Sequence, residues 1–302
     1  MNVEAVNAQT ISVTPPPPVE ECFTEIDGAR MRYLRCGSGP PLLLLHGLLG
    51  YSFSWRFNIA TLARHRTVYA IDQIGTGFSS RAKLDFSMPA IADRTLRFVE
   101  QVGISSSSTG FDLAGASHGG AIAALLAARV LERMTERAYP RINHLILVSP
   151  ANSWSAYGQS LAPLLSAWPI SAVGRWLLPR ARFVYRQRLR RFYGDPRRIQ
   201  PGTIEGYTAA LVIPGTFDYA LAILSNWRQD MRLLERTIPS LAQIPTLLVW
   251  GTRDTVVSPD SAKTFQRYLP DAQLVMMEGA GHIPNEECPE EFNRAMIAFL
   301  QH

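Results

Sequence analysis

The sequence predicts an α/β fold: a mostly parallel, doubly wound sheet with a helical segment inserted before its last strands. Three observations carry this. Short, continuously apolar runs recur along the chain, of the kind that suits strands buried on both faces. Helical patterns lie between most of them, and strands alternating with helices build a parallel sheet covered on both sides. Residues 151–243 break the alternation. They are rich in tryptophan, tyrosine, arginine and proline and hold no convincing buried strand.

In chain order, residues 1–21 read as an extended leader stiffened by four consecutive prolines at 15–18. A hairpin follows, with Phe23-Thr24-Glu25-Ile26 and Met31-Arg32-Tyr33-Leu34 flanking the turn Asp27-Gly28. Buried strands are expected at 41–45, 67–71, 111–114, 143–148, 246–250 and 273–277, and helices at 55–64, 88–102, 118–137, 260–269 and 289–300. The core is therefore 22–150 with 244–302, and 151–243 is an insertion that would cap it.

A chain of 302 residues suits one core with a large insertion. No stretch approaches the roughly 18 uninterrupted apolar residues of a spanning helix, so no membrane span is expected. The N-terminus lacks the basic and apolar regions of a secretory signal. Cys22, Cys36 and Cys288 are odd in number and widely spaced, which gives no disulfide framework. The histidines show no metal-ligand spacing. These features lead us to expect a reducing, cytoplasmic setting, with no metal and no cofactor. The net charge of +5 is concentrated at residues 175–198, which carry nine arginines and one acid, Asp195. This reads as a solvated helix face with arginine stems over apolar surface. On the helix expected near 182–193, Val184, Leu189, Phe192 and Tyr193 can share the other face. Without base-reading motifs, no nucleic-acid partner is expected.

The chemistry gathers at strand ends, where open α/β sheets bind ligands. Gly115-Ala116-Ser117-His118-Gly119 is a Gly-x-Ser-x-Gly motif set between a strand and a helix. A serine that must project from so sharp a turn leaves no room for side chains at 115 and 119. The helix behind it aims N–H groups where negative charge would develop. A serine hydroxyl needs a base, and the base needs a group to hold it. His282, after the 273–277 strand, is the candidate base. Asp254, after the 246–250 strand, would orient it. The backbone N–H groups of Leu48 and His118 are the candidate oxyanion donors. The order Ser, Asp, His is that of α/β-hydrolases.

These residues give the chain a resemblance to the α/β-hydrolase superfamily, in its cap-bearing group of esterases, epoxide hydrolases, haloalkane dehalogenases and carbon–carbon bond hydrolases. The matching pieces are His46-Gly47, the run from Asp72 to Ser79, the turn at Ser117, Trp250-Gly251-Thr252-Arg253-Asp254, and Gly281-His282 with Glu286 and Pro289-Glu290. The resemblance runs from about residue 22 to the C-terminus and is weak across the insertion. Similar epoxide hydrolases and dehalogenases use Asp as nucleophile, where this chain has Ser117. Similar carbon–carbon hydrolases carry Asn before the serine and Trp after the histidine, where this chain has Ala116 and Ile283. The resemblance thus implies a serine esterase acting on a small apolar ester. Carbon–carbon hydrolysis of a ring-fission diketone, or a slow-turnover small-molecule receptor, stands as the alternative. Oligomeric state stays open.

Other residues read as structural. The His118 side chain should point away from the serine. His46 should prop the oxyanion loop, and Asp72 should fix the loop from Gly75 to Ser79. The insertion's aromatic residues, among them Trp154, Tyr157, Trp168, Trp176, Phe183, Phe192, Tyr207, Phe217, Tyr219 and Trp227, should divide between packing and pocket lining.

Overall fold

Runs that are apolar at every position need cover on both faces, and the computed structural model, which describes residues 17–106, 110–134, 141–155 and 182–301, supplies it. Eight strands form one sheet: β1 (Val19–Ile26), β2 (Ala29–Cys36), β3 (Pro41–Leu45), β4 (Thr67–Ile71), β5 (Phe111–Ala116), β6 (Ile142–Val148), β7 (Thr246–Gly251) and β8 (Gln273–Met277). Their order is β1-β2-β4-β3-β5-β6-β7-β8. β2 runs antiparallel to both its neighbours, and every pairing from β4 to β8 is parallel.

Successive side chains on a strand point to opposite faces. In β3, Leu43 and Leu45 join one apolar cluster while Leu42 and Leu44 join the other. β7 divides the same way, with Leu248 and Trp250 opposite Leu247 and Val249. The helices α2 (Met88–Gln101), α3 (His118–Arg133) and α7 (Asp260–Tyr268) cover the first face. The short α1 (Ile59–Leu62) and α9 (Pro289–Leu300) cover the second. α3 packs close to the sheet because its inner face is small: Gly119, Gly120, Ala121, Ala123 and Ala124 are all buried.

Between β6 and β7 the described part of the insertion is helical: α4 (Arg182–Phe192), α5 (Thr203–Leu211) and α6 (Thr216–Thr237). On α4, Leu189 is buried, while Arg186, Arg190 and Arg191 are exposed, so the described part of the basic run presents a solvated face there. Residues 156–181 lie outside the described residues. Among those described, no single helix is long and apolar enough to cross a membrane.

Three expectations shift. β1 starts at Val19, paired with Cys36, so the strand absorbs the last residues assigned to the leader. The helix expected at 55–64 is instead a 3-10 turn, Ser52–Trp55, followed by the single turn of α1. Tertiary bonds explain the break. The Asn58 side chain donates to the Asn285 carbonyl at 3.0 Å and to Asn293 Oδ1 at 2.9 Å, while its own N–H bonds back to Trp55 in 3-10 fashion. The helix expected at 118–137 ends at Arg133, and residues 135–140 lie outside the described residues.

One buried carboxylate of α6 makes stability depend on pH. Asp230 Oδ2 accepts the Met88 N–H at 3.0 Å at the start of α2, and burial raises its pKa to about 6 despite that bond. An unfolded aspartate releases its proton near pH 4. Above that pH the unfolded state loses its proton first, so stability falls as pH rises from about 4 through 6 and then levels off. Asp230→Asn keeps an oxygen for Met88 and removes the charge. Its melting temperature is expected to match wild type at pH 4 and exceed it at pH 8, as thermal melts across that range would show.

Candidate active site

Ser117 occupies the junction of β5 and α3 with φ of 53° and ψ of −121°, a left-handed conformation rare for a side-chain-bearing residue. The fold pins it there. Its N–H continues the sheet by donating to the Val148 carbonyl at 2.9 Å, and its own carbonyl accepts from Gly120 and Ala151. A Cβ on Gly115 would press on the Gly119 carbonyl, and one on Gly119 would press on the carbonyls of Leu45 and His46. The two glycines let β5, α3 and the loop after β3 meet backbone to backbone. Gly119→Ala is expected to cost more than about 3 kcal/mol, since rigid backbone cannot move aside. A urea titration would show it as a lower midpoint.

Residues 117, 254 and 282 are far apart in the chain and meet in the fold. The Ser117 hydroxyl donates to His282 Nε2 at 2.8 Å, and His282 Nδ1 donates to Asp254 Oδ2 at 2.9 Å. His282 and Asp254 are buried, 4% and 5% exposed. Asp254 Oδ1 is occupied separately by the N–H groups of Val256 and Val257 at 2.8 and 2.9 Å, so the carboxylate cannot rotate without breaking bonds.

The loop after β3 is braced by His46. Its Nδ1 donates to the Gly47 carbonyl at 2.8 Å, while Nε2 accepts from the Gln73 N–H at 3.1 Å and lies 3.1 Å from the Thr76 hydroxyl, which donates to the Gln73 carbonyl at 2.9 Å. Burial holds its pKa below the usual range, which keeps the ring neutral. Gly50 N–H bonds the same Gly47 carbonyl. The loop is thereby set beside Ser117, with Gly47 packed against the serine Cβ. Asp72 braces the next loop: its carboxylate accepts from Ser52 N–H, Phe78 N–H and Arg32, and its carbonyl from the Ser79 hydroxyl at 2.6 Å. The His118 ring stacks on Trp227, with centroids 6.0 Å apart, and burial pushes its pKa down to about 3. The ring is uncharged at neutral pH and so is no imidazolium acid.

A cavity of about 270 Å³ opens over Ser117 and His282. Leu189, Phe192, Phe217, Leu221, Trp227 and Val257 give it a mainly apolar wall. Of the insertion's described aromatics, Tyr185, Phe192, Tyr207, Phe217 and Trp227 line it. Tyr219 instead packs on Phe86, and Trp154 on Tyr268. Tyr157, Trp168, Trp176 and the side chain of Phe183 lie outside the described residues.

One polar cluster interrupts this wall, and sequence reasoning named its central residue, Glu286, without its partners or role. Glu286, fully buried, receives Arg56 at 2.7 Å and the hydroxyls of Tyr193 and Tyr207. Burial raises its pKa, and Arg56 and the hydroxyls pull it back. In sequence, Glu286 enters only as a trailing piece of the family resemblance, with no role attached, and Glu287 draws no reading. The signal in sequence was their place within five residues of His282.

A serine held on a strained strand-to-helix turn, at the carboxyl edge of this sheet, defines an α/β hydrolase. The chain belongs to the alpha/beta hydrolase family, whose model matches residues 42–295. Among curated relatives, it is 27% identical to the dihydrolipoyllysine-residue acetyltransferase component of the acetoin cleaving system of Pseudomonas putida, over 92% of this chain and 68% of that protein. It is 28% identical to Lipase 1 of Psychrobacter immobilis, over 89% and 80%. With the 2-hydroxy-6-oxo-6-(2'-aminophenyl)hexa-2,4-dienoic acid hydrolase of Metapseudomonas resinovorans it shares 26%, over 93% and 90%. A solved bacterial membrane phospholipase A superposes with a TM-score of 0.72 at 26% identity, covering 94% of this chain and 86% of that one.

Proposed function

We propose that this chain is a serine hydrolase that cleaves a carboxylic ester bearing an apolar group, through an acyl-enzyme. The observation that carries this reading is the unbroken relay from Ser117 through His282 to Asp254, at 2.8 and 2.9 Å, opening into an apolar cavity. Ser117 Oγ attacks the ester carbonyl while His282 Nε2 accepts its proton. Asp254 holds the imidazole in the tautomer that leaves Nε2 free to accept, and it stabilises the imidazolium. The oxyanion forms beside the N–H groups of Leu48 and His118, each worth on the order of 3 kcal/mol of barrier. Neither N–H bonds another described residue. His282 then protonates the leaving alcohol. Water, deprotonated by His282, releases the acid and restores Ser117. No step calls for a cofactor or a metal, and the substrate is the only partner the reaction needs.

The lipase relative supports ester cleavage. The hexadienoic acid hydrolase relative supports a second reading, carbon–carbon bond hydrolysis, against which stand Ala116 and Ile283. A series of p-nitrophenyl esters of increasing acyl length, run beside a ring-fission diketone, separates them. Ester turnover exceeding diketone turnover is expected. Diketone turnover well above every ester would replace the first reading with the second.

A further inference from the structure

The inserted helix α4 ends against the two loops that carry Asp254 and His282. Its last carbonyls are the straps. The Phe192 carbonyl accepts the His282 N–H at 2.7 Å, and the Arg191 carbonyl accepts the Thr255 hydroxyl at 3.2 Å. Glu287, in the single turn α8 (Pro284–Glu287), closes the junction from below. Its side chain is fully buried, yet all its bonds are to backbone. Oε2 accepts the N–H of Gly281 at 2.7 Å and of Gly194 at 2.9 Å, and Oε1 accepts the N–H of Asp195 at 2.8 Å. Arg198 lies 3.6 Å away as its counter-charge. One carboxylate thus holds the residue before His282 and the second and third residues beyond the end of α4, Gly194 and Asp195. The backbones touch where it holds them: a Cβ on Gly194 would press on the Gly279 carbonyl, and one on Gly281 on the Phe192 carbonyl.

We infer that Glu287 is a positioning residue: it locks the end of the inserted helix to the histidine loop and so registers His282 between Asp254 and Ser117. This rests on the hydrolase reading for its kinetic consequence, though not for its geometry. Charge-assisted bonds to backbone N–H groups are among the stronger ones a protein makes. Three of them on one buried carboxylate resist the small displacement that would open a 2.8 Å contact. Proton transfer is sensitive to displacements of about 1 Å, at which losses reach about 100-fold.

The test uses Glu287→Gln and Gly194→Ala in the full chain. Glutamine has nearly the same shape but turns an amide N–H toward one of the three donors. Alanine at 194 forces the same two segments apart without touching the carboxylate. Both variants are expected to lose about 10- to 100-fold in kcat, with KM within about threefold of wild type. The rate at which an organophosphonate labels Ser117 should fall by the same factor. The low-field proton resonance of the His282–Asp254 hydrogen bond should broaden or vanish. Arg197→Gln, at an exposed neighbouring ion pair, should leave all three readings unchanged. If either variant melts as a folded protein with wild-type kcat and an intact low-field proton, the inference is overturned. The resonance reads the clamp even if no ester is turned over, so its failure is distinguishable from failure of the hydrolase reading.

Discussion

Ser117→Ala is expected to abolish ester turnover, by about 10,000-fold or more in kcat, and to abolish organophosphonate labelling altogether. The hydroxyl makes one contact with the relay, its bond to His282 Nε2. Removing it deletes the nucleophile and nothing else. Alanine keeps the Cβ that packs against Gly47, and it inherits the same backbone conformation at φ of 53°. The melting temperature should therefore stay near wild type, so that lost turnover reads as lost chemistry and not as misfolding. Mass spectrometry of the intact protein after phosphonate treatment settles the labelling. Turnover persisting in this variant would remove Ser117 as the nucleophile.

Asp254→Asn carries the next largest effect, about 10,000-fold in kcat with KM little changed. Asparagine must choose between two losses. With its oxygen toward Val256 and Val257, it keeps both backbone bonds and turns its amide N–H against His282 Nδ1–H. The imidazole then favours the other tautomer, in which Nε2 carries the proton and can no longer accept one from Ser117. With its oxygen toward His282, it faces two backbone N–H groups with a donor. Steady-state kinetics beside a thermal melt distinguish a tautomer defect from a folding one. A loss under tenfold in kcat would mean that Asp254 does not orient the base.

Much of this architecture was legible in the one-dimensional pattern. Leu42 to Leu45 and Leu247 to Trp250 are apolar at every position, which only a doubly covered strand tolerates, and both lie in strands whose alternate residues enter opposite clusters. Ser117 was legible because its turn excludes side chains at 115 and 119, and glycine records that exclusion in the sequence. Asp254 and His282 were legible from their places after strands, since parallel strands bring their carboxyl ends to one edge.

The helix expected at 55–64 shows why other features were not. Trp55, Ile59 and Leu62 are all buried, so the helical spacing was real. What interrupts it is Asn58, whose side chain bonds residues 285 and 293, more than 200 positions away. Glu286 and Glu287 follow the same logic. Apart from the nearby Gly281 N–H, their partners, Arg56, Tyr193, Tyr207 and the backbone at 194–195, arrive from distant segments and leave no local signature.

By itself, then, the sequence determined the family fold, the strand ends and the residue types gathered there, because these follow from hydrophobic period, turn sterics and chain order, all of which are local. Only the tertiary structure decided the distances from Ser117 to His282 to Asp254, the apolar wall drawn from α4 and α6, and the junction at Glu287. Those depend on which remote backbone groups meet in a space too tight for anything larger than hydrogen, and periodicity along a single chain does not encode such meetings.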